Sequence, residues 1–238
     1  MQEKILSYYE CYDEEGRLFR DNAHMPEYLT SIHYFDRLFL PNCHILDACA
    51  GAGTYSFYLA NKGHTVTACD LVERNVNIMK SNSSANKLAN ISVCNVLNMP
   101  QFGGDEYDVV LCMGALYHLQ EYAAKLKAVS ECVRVCKPGG LVVFAYIVDF
   151  QEPLDATQYE DVFFASTPDE IEEMARQYGL KKIHNISTDG ILKTIGSNNL
   201  NEASDEDFIK HMESFYLTCE DPDIIMLGGH ALWIGRKV

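Results

Sequence analysis

Short apolar runs alternate with amphipathic stretches along most of the chain. Strands are predicted at 45–47, 65–69, 91–96, 108–113, 141–147, 181–186 and 231–235, and helices at 55–61, 73–81, 122–135 and 168–178. Runs that are apolar throughout, rather than at every second position, belong to strands buried on both faces, so the alternation predicts a mostly parallel sheet covered by helices. Upstream, Tyr28, Leu29, Ile32, Phe35, Leu38 and Phe39 recur at helical spacing over 25–40, and Pro41-Asn42 ends that helix. Residues 1–20, rich in tyrosine (Tyr8, Tyr9, Tyr12), have no clean period and read as a helix and a loop. About forty residues, 187–230, separate the last two strands, where a short loop would suffice. Within them DEDFIKHMESFYLTCE reads as a helix with Phe208, Met212, Phe215 and Tyr216 on one face and Ser204 or Asp205 as N-cap. The organisation predicted is one α/β domain: a helical N-terminal cover (1–40), a core (41–187), a helical lid (188–229) and a last strand (230–238).

The stretch that organises the rest is ILDACAGAGTYSFYLA, 45–60. It reads as strand, tight turn and helix. Gly51 and Gly53 let the backbone approach a ligand with no Cβ in the way, and the helix beyond presents free N–H groups. This is the opening of a nucleotide-cofactor domain. An acidic residue, Asp47, closes the strand, and small residues then alternate as Cys49, Gly51 and Gly53. A carboxylate there repels a pyrophosphate and suits an ammonium.

That spacing, with Asp70 closing the next strand (HTVTACD), resembles the first two motifs of the class I S-adenosylmethionine-dependent methyltransferases. The likeness runs strongly over 45–147, less so over the C-terminal strands, and includes the tyrosine-rich start with Asp13 and Arg17 and a GxxYHL segment after the fourth strand, as in bacterial small-molecule methyltransferases. It implies a Rossmann-like methyltransferase fold, a mostly parallel seven-stranded sheet with an antiparallel last strand between the fifth and sixth. It also implies S-adenosyl-L-methionine as cofactor. Asp47 and the turn of Cys49, Ala50, Gly51 and Gly53 would hold the methionine end. Asp70 would accept from the ribose hydroxyls, Leu71 would pack on the adenine, and Asn95 and Val96 would flank it, with Met113 at the end of the fourth strand. Cys49 departs from the glycine usual in the family. Because strands six and seven meet at the ligand edge in this fold, the insertion between them is expected to sit over the acceptor and set its choice.

Charge narrows the acceptor. A formal net charge of −15 disfavours a phosphate backbone, whose affinity comes from lysine and arginine displacing counterions. The acidity is uneven, with neither lysine nor arginine in 152–173, which is either solvated surface or attraction for a cationic substrate. No apolar run approaches the roughly 20 residues needed to span a bilayer, and the N-terminus lacks the basic flank and apolar core of a signal peptide, so a cytoplasmic protein is expected. Nine cysteines include no CxxC pair and read as small buried hydrophobes. Cys49, Cys69, Cys94 and Cys112 fall near the ends of the first four strands, but non-neighbouring strands cannot share one ion, and no metal is expected.

Methyl transfer from a sulfonium is an in-line displacement that the protein serves by aligning, desolvating and sometimes deprotonating the acceptor. His118, in the loop after the fourth strand, is a candidate base, or else a histidine capping the next helix or satisfied in the core. Tyr117, Tyr146 and His230 are the other polar tips at that edge, and Tyr146 reads equally as a packed aromatic. The Asp/Asn-Pro-Pro-aromatic cluster of enzymes acting on planar amide or nucleobase nitrogens is missing, as is the paired-cysteine arrangement of RNA cytosine-C5 enzymes. The expected function is methyl transfer to a small acceptor. A binding module for S-adenosylmethionine or its demethylated product, and an NAD-dependent oxidoreductase, are the alternatives. The acceptor atom and the oligomeric state are left open.

Overall fold

The computed structural model describes residues 2–148, 162–190 and 196–238. In chain order these form α1 (Gln2–Cys11), α2 (Met25–Leu38), β1 (His44–Asp47), α3 (Thr54–Asn61), β2 (Thr65–Asp70), α4 (Glu73–Ser81), β3 (Asn90–Val93), β4 (Tyr107–Cys112), α5 (Tyr122–Val135), β5 (Cys136–Ile147), α6 (Pro168–Gln177), β6 (Leu180–Ser187), α7 (Ser197–Asn201), α8 (Asp205–Tyr216), α9 (Pro222–Leu227) and β7 (His230–Lys237). The sheet has seven strands in the order β3-β2-β1-β4-β5-β7-β6. β1 pairs in parallel with both β2 and β4, whereas β7 runs antiparallel between β5 and β6. The chain reverses its winding between β1 and β4, and in such open sheets the crevice beyond the carboxyl ends of those strands is where ligands bind.

Alternation along the strands splits the core into two layers. Val110, Cys112, Val142, Phe144 and Trp233 face α5 and α6, while Val109, Leu111, Val143, Leu232 and Ile234 face α2, α3 and α4. Both faces are covered, which is why the central strands carry runs of consecutive apolar residues, Ile45-Leu46, Val109-Val110-Leu111 and residues 141–147. Thr167 and Ser204 accept at their hydroxyls from the N–H groups of Glu170 and Asp207 and so cap α6 and α8.

Three differences from the predicted elements have local causes. β3 ends at Val93 rather than at 96 because Asn95 turns the chain, its Oδ1 accepting from the N–H of Leu97 at 3.0 Å. The segment Lys137-Pro138-Gly139-Gly140, which falls between the predicted helix at 122–135 and the predicted strand at 141–147, is taken into β5 as an irregularity, with Tyr107 opposite Cys136 and then Val109 opposite Leu141. The third concerns the insertion. Phe208, Met212 and Phe215 of α8 bury among Tyr34 and Phe35 of α2 and Ile186, Leu232 and Ile234 of the last two strands. The insertion was expected over the ligand edge; the apolar face of α8 packs on the flank of the sheet, while Asp189 and Ser197 of the insertion line a cavity at that edge.

Candidate functional site

The loops beyond β1, β2 and β4 surround a cavity of about 220 Å³, roofed by α1 and the loop after it. The turn after β1 forms its floor. Gly51 takes φ +56, and a side chain there would run into the Glu14 carboxylate, 3.0 Å from the position of a Cβ. Its N–H donates to Asp70 Oδ2 at 2.8 Å. The other Asp70 oxygen accepts from the N–H of Val72 at 2.8 Å and from Asn75 Nδ2 at 3.3 Å. One carboxylate thus fixes the turn, caps the start of α4 and keeps lone pairs towards the cavity. Burial raises its pKa, against these donors.

Of the residues picked out in the sequence, Cys49, Ala50, Gly51, Asp70, Leu71, Asn95, Val96, Met113, Tyr117 and His118 line this cavity. Asp47, Gly53 and Tyr146 are not among its lining residues. Asp47 lies beneath the turn, 2% exposed, where Oδ2 accepts from the Ser56 hydroxyl at 2.7 Å and burial lifts its pKa to about 7. Gly53 precedes α3 at φ +91, and a Cβ there would strike Met79 and Phe57, so it serves close packing. Tyr146 is fully buried and donates its hydroxyl to Asn185 Oδ1 at 3.0 Å, as the packed aromatic that the sequence also allowed. Cys49 has no positive φ and no need of glycine's freedom. Its thiol contacts that of Cys112, and this contact together with burial holds the Cys49 pKa up; the Cys112 pKa is held up by contact with Cys132 and by burial, against the contact with Cys49.

His118 is held at both ring nitrogens. Nδ1 lies 2.7 Å from the carbonyl oxygen of Val162, which can only accept, so Nδ1 carries the proton and Nε2 accepts from the Tyr9 hydroxyl at 2.9 Å. Burial drops its pKa to about 4. The imidazole is neutral at physiological pH and its basic nitrogen is already occupied.

A second cavity, of about 360 Å³, adjoins the first and shares Tyr9, Glu14, Arg17 and Tyr117 with it. Tyr12, Glu27, Phe163, Asp189, Ser197 and His230 are among the residues that complete it. Arg17 grips Glu27 with both terminal nitrogens at 2.7 Å, and its Nε lies 3.8 Å from Glu14. Against the effect of burial, that guanidinium holds Glu27 ionised, with a pKa of about 2. Glu14 goes the other way: burial, only partly offset by Arg17, raises it to about 7. His230 Nδ1 lies 3.1 Å from Asp189 Oδ2, and the same carboxylate accepts from the N–H groups of Gly229 and His230. Although burial opposes it, the negative charge of Glu27, with help from Asp189, raises the His230 pKa.

Sequence reasoning did not pick out Tyr9, Glu14, Glu27 and Asp189 as site residues, and took Arg17 only as part of a family likeness. Glu27 lies in the first turn of α2; Tyr9, Glu14 and Arg17 lie ahead of it in the N-terminal segment, which has no clean period. It is held down from below: Arg74 on α4 donates to the carbonyls of Tyr9 and Tyr12 at 3.0 and 2.7 Å. The segment also meets the insertion, where Asn22 donates to the carbonyl of Leu200 at 3.2 Å.

A doubly wound sheet with a glycine turn after its first strand, an acid closing its second and a cavity at the switch point defines an α/β nucleotide-cofactor-binding protein. Comparison with known proteins takes this further. Residues 46–144 match the family described as "Methyltransferase domain". A "Ubiquinone biosynthesis O-methyltransferase" of Hydrogenovibrio crunogenus is 30% identical over 185 residues, covering 71% of this chain and 74% of that protein. Its namesake in Acinetobacter baylyi is 30% identical over 105 residues, 43% of each chain. Among solved structures, phosphoethanolamine N-methyltransferase 2 of Haemonchus contortus in complex with S-adenosyl-L-methionine superposes with a TM-score of 0.62 at 16% identity, over 88% of this chain and 52% of that one, which is a likeness of fold. The chain belongs to the class I S-adenosylmethionine-dependent methyltransferases. Its cofactor is S-adenosylmethionine, and it transfers a methyl group to a small-molecule acceptor.

The residues present fit that cofactor. Gly51 leaves a cradle that any side chain would fill, Asp70 offers acceptors for a ribose diol, and Leu71, Val96 and Leu97 supply an apolar slot for a purine.

Proposed function

We propose that the first cavity holds S-adenosylmethionine, with Asp70 on its ribose, Leu71, Asn95 and Val96 around its adenine, and Cys49, Ala50, Gly51 and Met113 along the remainder, and that the second cavity holds a small cationic acceptor. The observation that carries this reading is the shared wall: Tyr9, Glu14, Arg17 and Tyr117 border both cavities, so two ligands would meet there. Three carboxylates, Glu14, Glu27 and Asp189, stand against one guanidinium, that of Arg17, around the second cavity, and the rings of Tyr9, Tyr12, Tyr117 and Phe163 add faces that attract a cation. When bound, the cofactor supplies an activated methyl group as a sulfonium.

The chain's own residues then have three tasks. Tyr117, whose hydroxyl donates to the carbonyl of Met113 at 3.2 Å, and Tyr9 align the acceptor at the junction and exclude water. His230 takes the acceptor's proton at Nε2, while Asp189 at Nδ1 fixes the tautomer and orientation. His118, with Nε2 committed to Tyr9, positions that tyrosine rather than acting as base. The cover, the core and the insertion work as one domain. All nine cysteines are free thiols, in keeping with a reducing cytoplasm.

The test is S-adenosylhomocysteine formation from S-adenosylmethionine with a panel of small amines, amino alcohols and phenols, followed across pH. Turnover with an amine, rising with pH through a pKa above 6.5 and lost in His230→Ala, is expected. Cofactor binding with no turnover of any cationic acceptor, or a profile unchanged by His230→Ala, contradicts the reading.

A further inference from the structure

The cofactor of this family ends in an α-amino acid, which carries an ammonium and a carboxylate at neutral pH. The turn beneath the first cavity offers no free charge for either. Asp47, the acid nearest in sequence, is buried under the turn and engaged by Ser56. Asp70 is braced by Gly51, Val72 and Asn75, and its remaining lone pairs are those the ribose would use. The charges that do reach this end of the cavity come from the opposite wall. Glu14 hangs over Gly51, with Oε1 3.0 Å from where a Cβ would lie, and Arg17 Nε is 3.8 Å from the same carboxylate.

We propose that Arg17 and Glu14 form a clamp for the zwitterionic end of the cofactor, the guanidinium taking the carboxylate and Glu14 the ammonium. Glu27 makes the arrangement workable. It occupies two of the five N–H groups of Arg17 and fixes the plane of the fork, leaving the other donors for a second carboxylate. The tight turn at Asp13, whose Oδ1 accepts from the N–H of Gly16 at 3.1 Å, brings Glu14 and Arg17 to one side of the loop. Because both residues also border the acceptor cavity, the bound amino acid forms part of the wall that the acceptor meets. An adenosyl compound without that end finds the nucleoside half of the site but not the clamp, so the pair selects the intact cofactor.

The clamp rests on S-adenosylmethionine occupying the first cavity, and calorimetry on the full chain separates the two ideas. Three ligands are titrated: S-adenosylhomocysteine, decarboxylated S-adenosylmethionine, which keeps the ammonium, and 5′-methylthioadenosine, which has neither charge. Arg17→Met should weaken S-adenosylhomocysteine by about tenfold or more, and leave the other two within about twofold, as expected for a lost charge-assisted hydrogen bond that only one ligand makes. Glu14→Gln, which preserves shape and the Arg17–Glu27 pair, should weaken both amino-bearing ligands and spare 5′-methylthioadenosine. Near pH 7 the wild type should also release protons on binding S-adenosylhomocysteine, because an ammonium beside Glu14 draws its pKa down, and Glu14→Gln should not. Equal losses for all three ligands would make Arg17 a scaffold residue and overturn the clamp. So would full affinity for S-adenosylhomocysteine in both folded variants. Wild-type protein that binds none of the three overturns the cofactor's placement and the clamp with it.

Discussion

The Tyr9 hydroxyl donates to His118 Nε2 at 2.9 Å, joining the first helix to the loop after the fourth strand across 109 positions of sequence. The rings also meet edge to face, with centroids 5.5 Å apart. The far side of the imidazole is anchored on the carbonyl of Val162. This bond is the latch between the N-terminal cover and the core, and it stands on the wall that the two cavities share.

Opening the latch should affect chemistry more than cofactor binding. Tyr9→Phe keeps the ring and removes the bond, so turnover should fall by about tenfold, the equivalent of roughly 1.4 kcal/mol, while cofactor affinity changes less. His118→Ala also leaves the Tyr9 hydroxyl and the Val162 carbonyl without their partner, and should lose about 1–3 kcal/mol of stability in addition. Steady-state kinetics and denaturant unfolding of the two variants check both effects.

His118 also sets a pH dependence of stability. The folded pKa of about 4 lies below the ordinary 6.5, so between those values the unfolded chain takes up a proton that the folded one refuses. Its contribution is therefore constant above pH 6.5, falls as the pH drops from 6.5 to 4, and levels off below. The loss is on the order of 3 kcal/mol for a shift of this size. The difference in unfolding free energy between wild type and His118→Gln, measured from pH 7.5 to 4, should narrow in favour of the variant by that amount.

Asp70→Ala removes the expected partner of the ribose and the brace of the glycine turn together. Cofactor affinity should fall by about 1.5–3 kcal/mol, the typical cost of a charge-assisted hydrogen bond, and calorimetry on the folded variant measures it.

The insertion carries a different expectation from the one its sequence position invited. A lid over the acceptor predicts that replacing 191–222 by a short turn spares cofactor binding and abolishes methylation. With Phe208, Met212 and Phe215 buried against α2 and the last two strands, it should instead destabilise the whole protein. Phe215→Ala alone should cost about 3–5 kcal/mol, visible as a lowered denaturation midpoint with little change in specific activity of the folded fraction.

The parallel sheet and the glycine turn were legible because each leaves a local mark, runs of consecutive apolar residues in the central strands, acids at strand ends and small residues at fixed spacing, whereas the antiparallel last strand followed only from the family resemblance that those marks carry. The cavity around Cys49, Gly51, Asp70, Asn95 and Tyr117 followed from them. Two things left no such mark. Whether Asp47 faces the ligand or the core is decided by Ser56, nine positions on, and nothing in the turn itself announces that contact. Of the side chains that complete the site from above, Tyr9, Glu14 and Arg17 lie in a segment without period, placed by Arg74 and by the insertion through contacts distant in sequence, and Glu27, on the legible helix α2, is marked only by its pairing with Arg17. His118 was recognised as special but its role depends on which nitrogen is free, a property of its partners Tyr9 and Val162 alone.

The most direct measurement of the account is a crystal structure of the full chain with S-adenosylhomocysteine bound. The account predicts the ribose on Asp70, the amino-acid end between Gly51 and the Glu14–Arg17 pair, and the sulfur facing the junction bordered by Tyr9 and Tyr117, with the His230 ring open to the cavity beyond. A ligand seated elsewhere, or one whose sulfur points away from that junction, would contradict it.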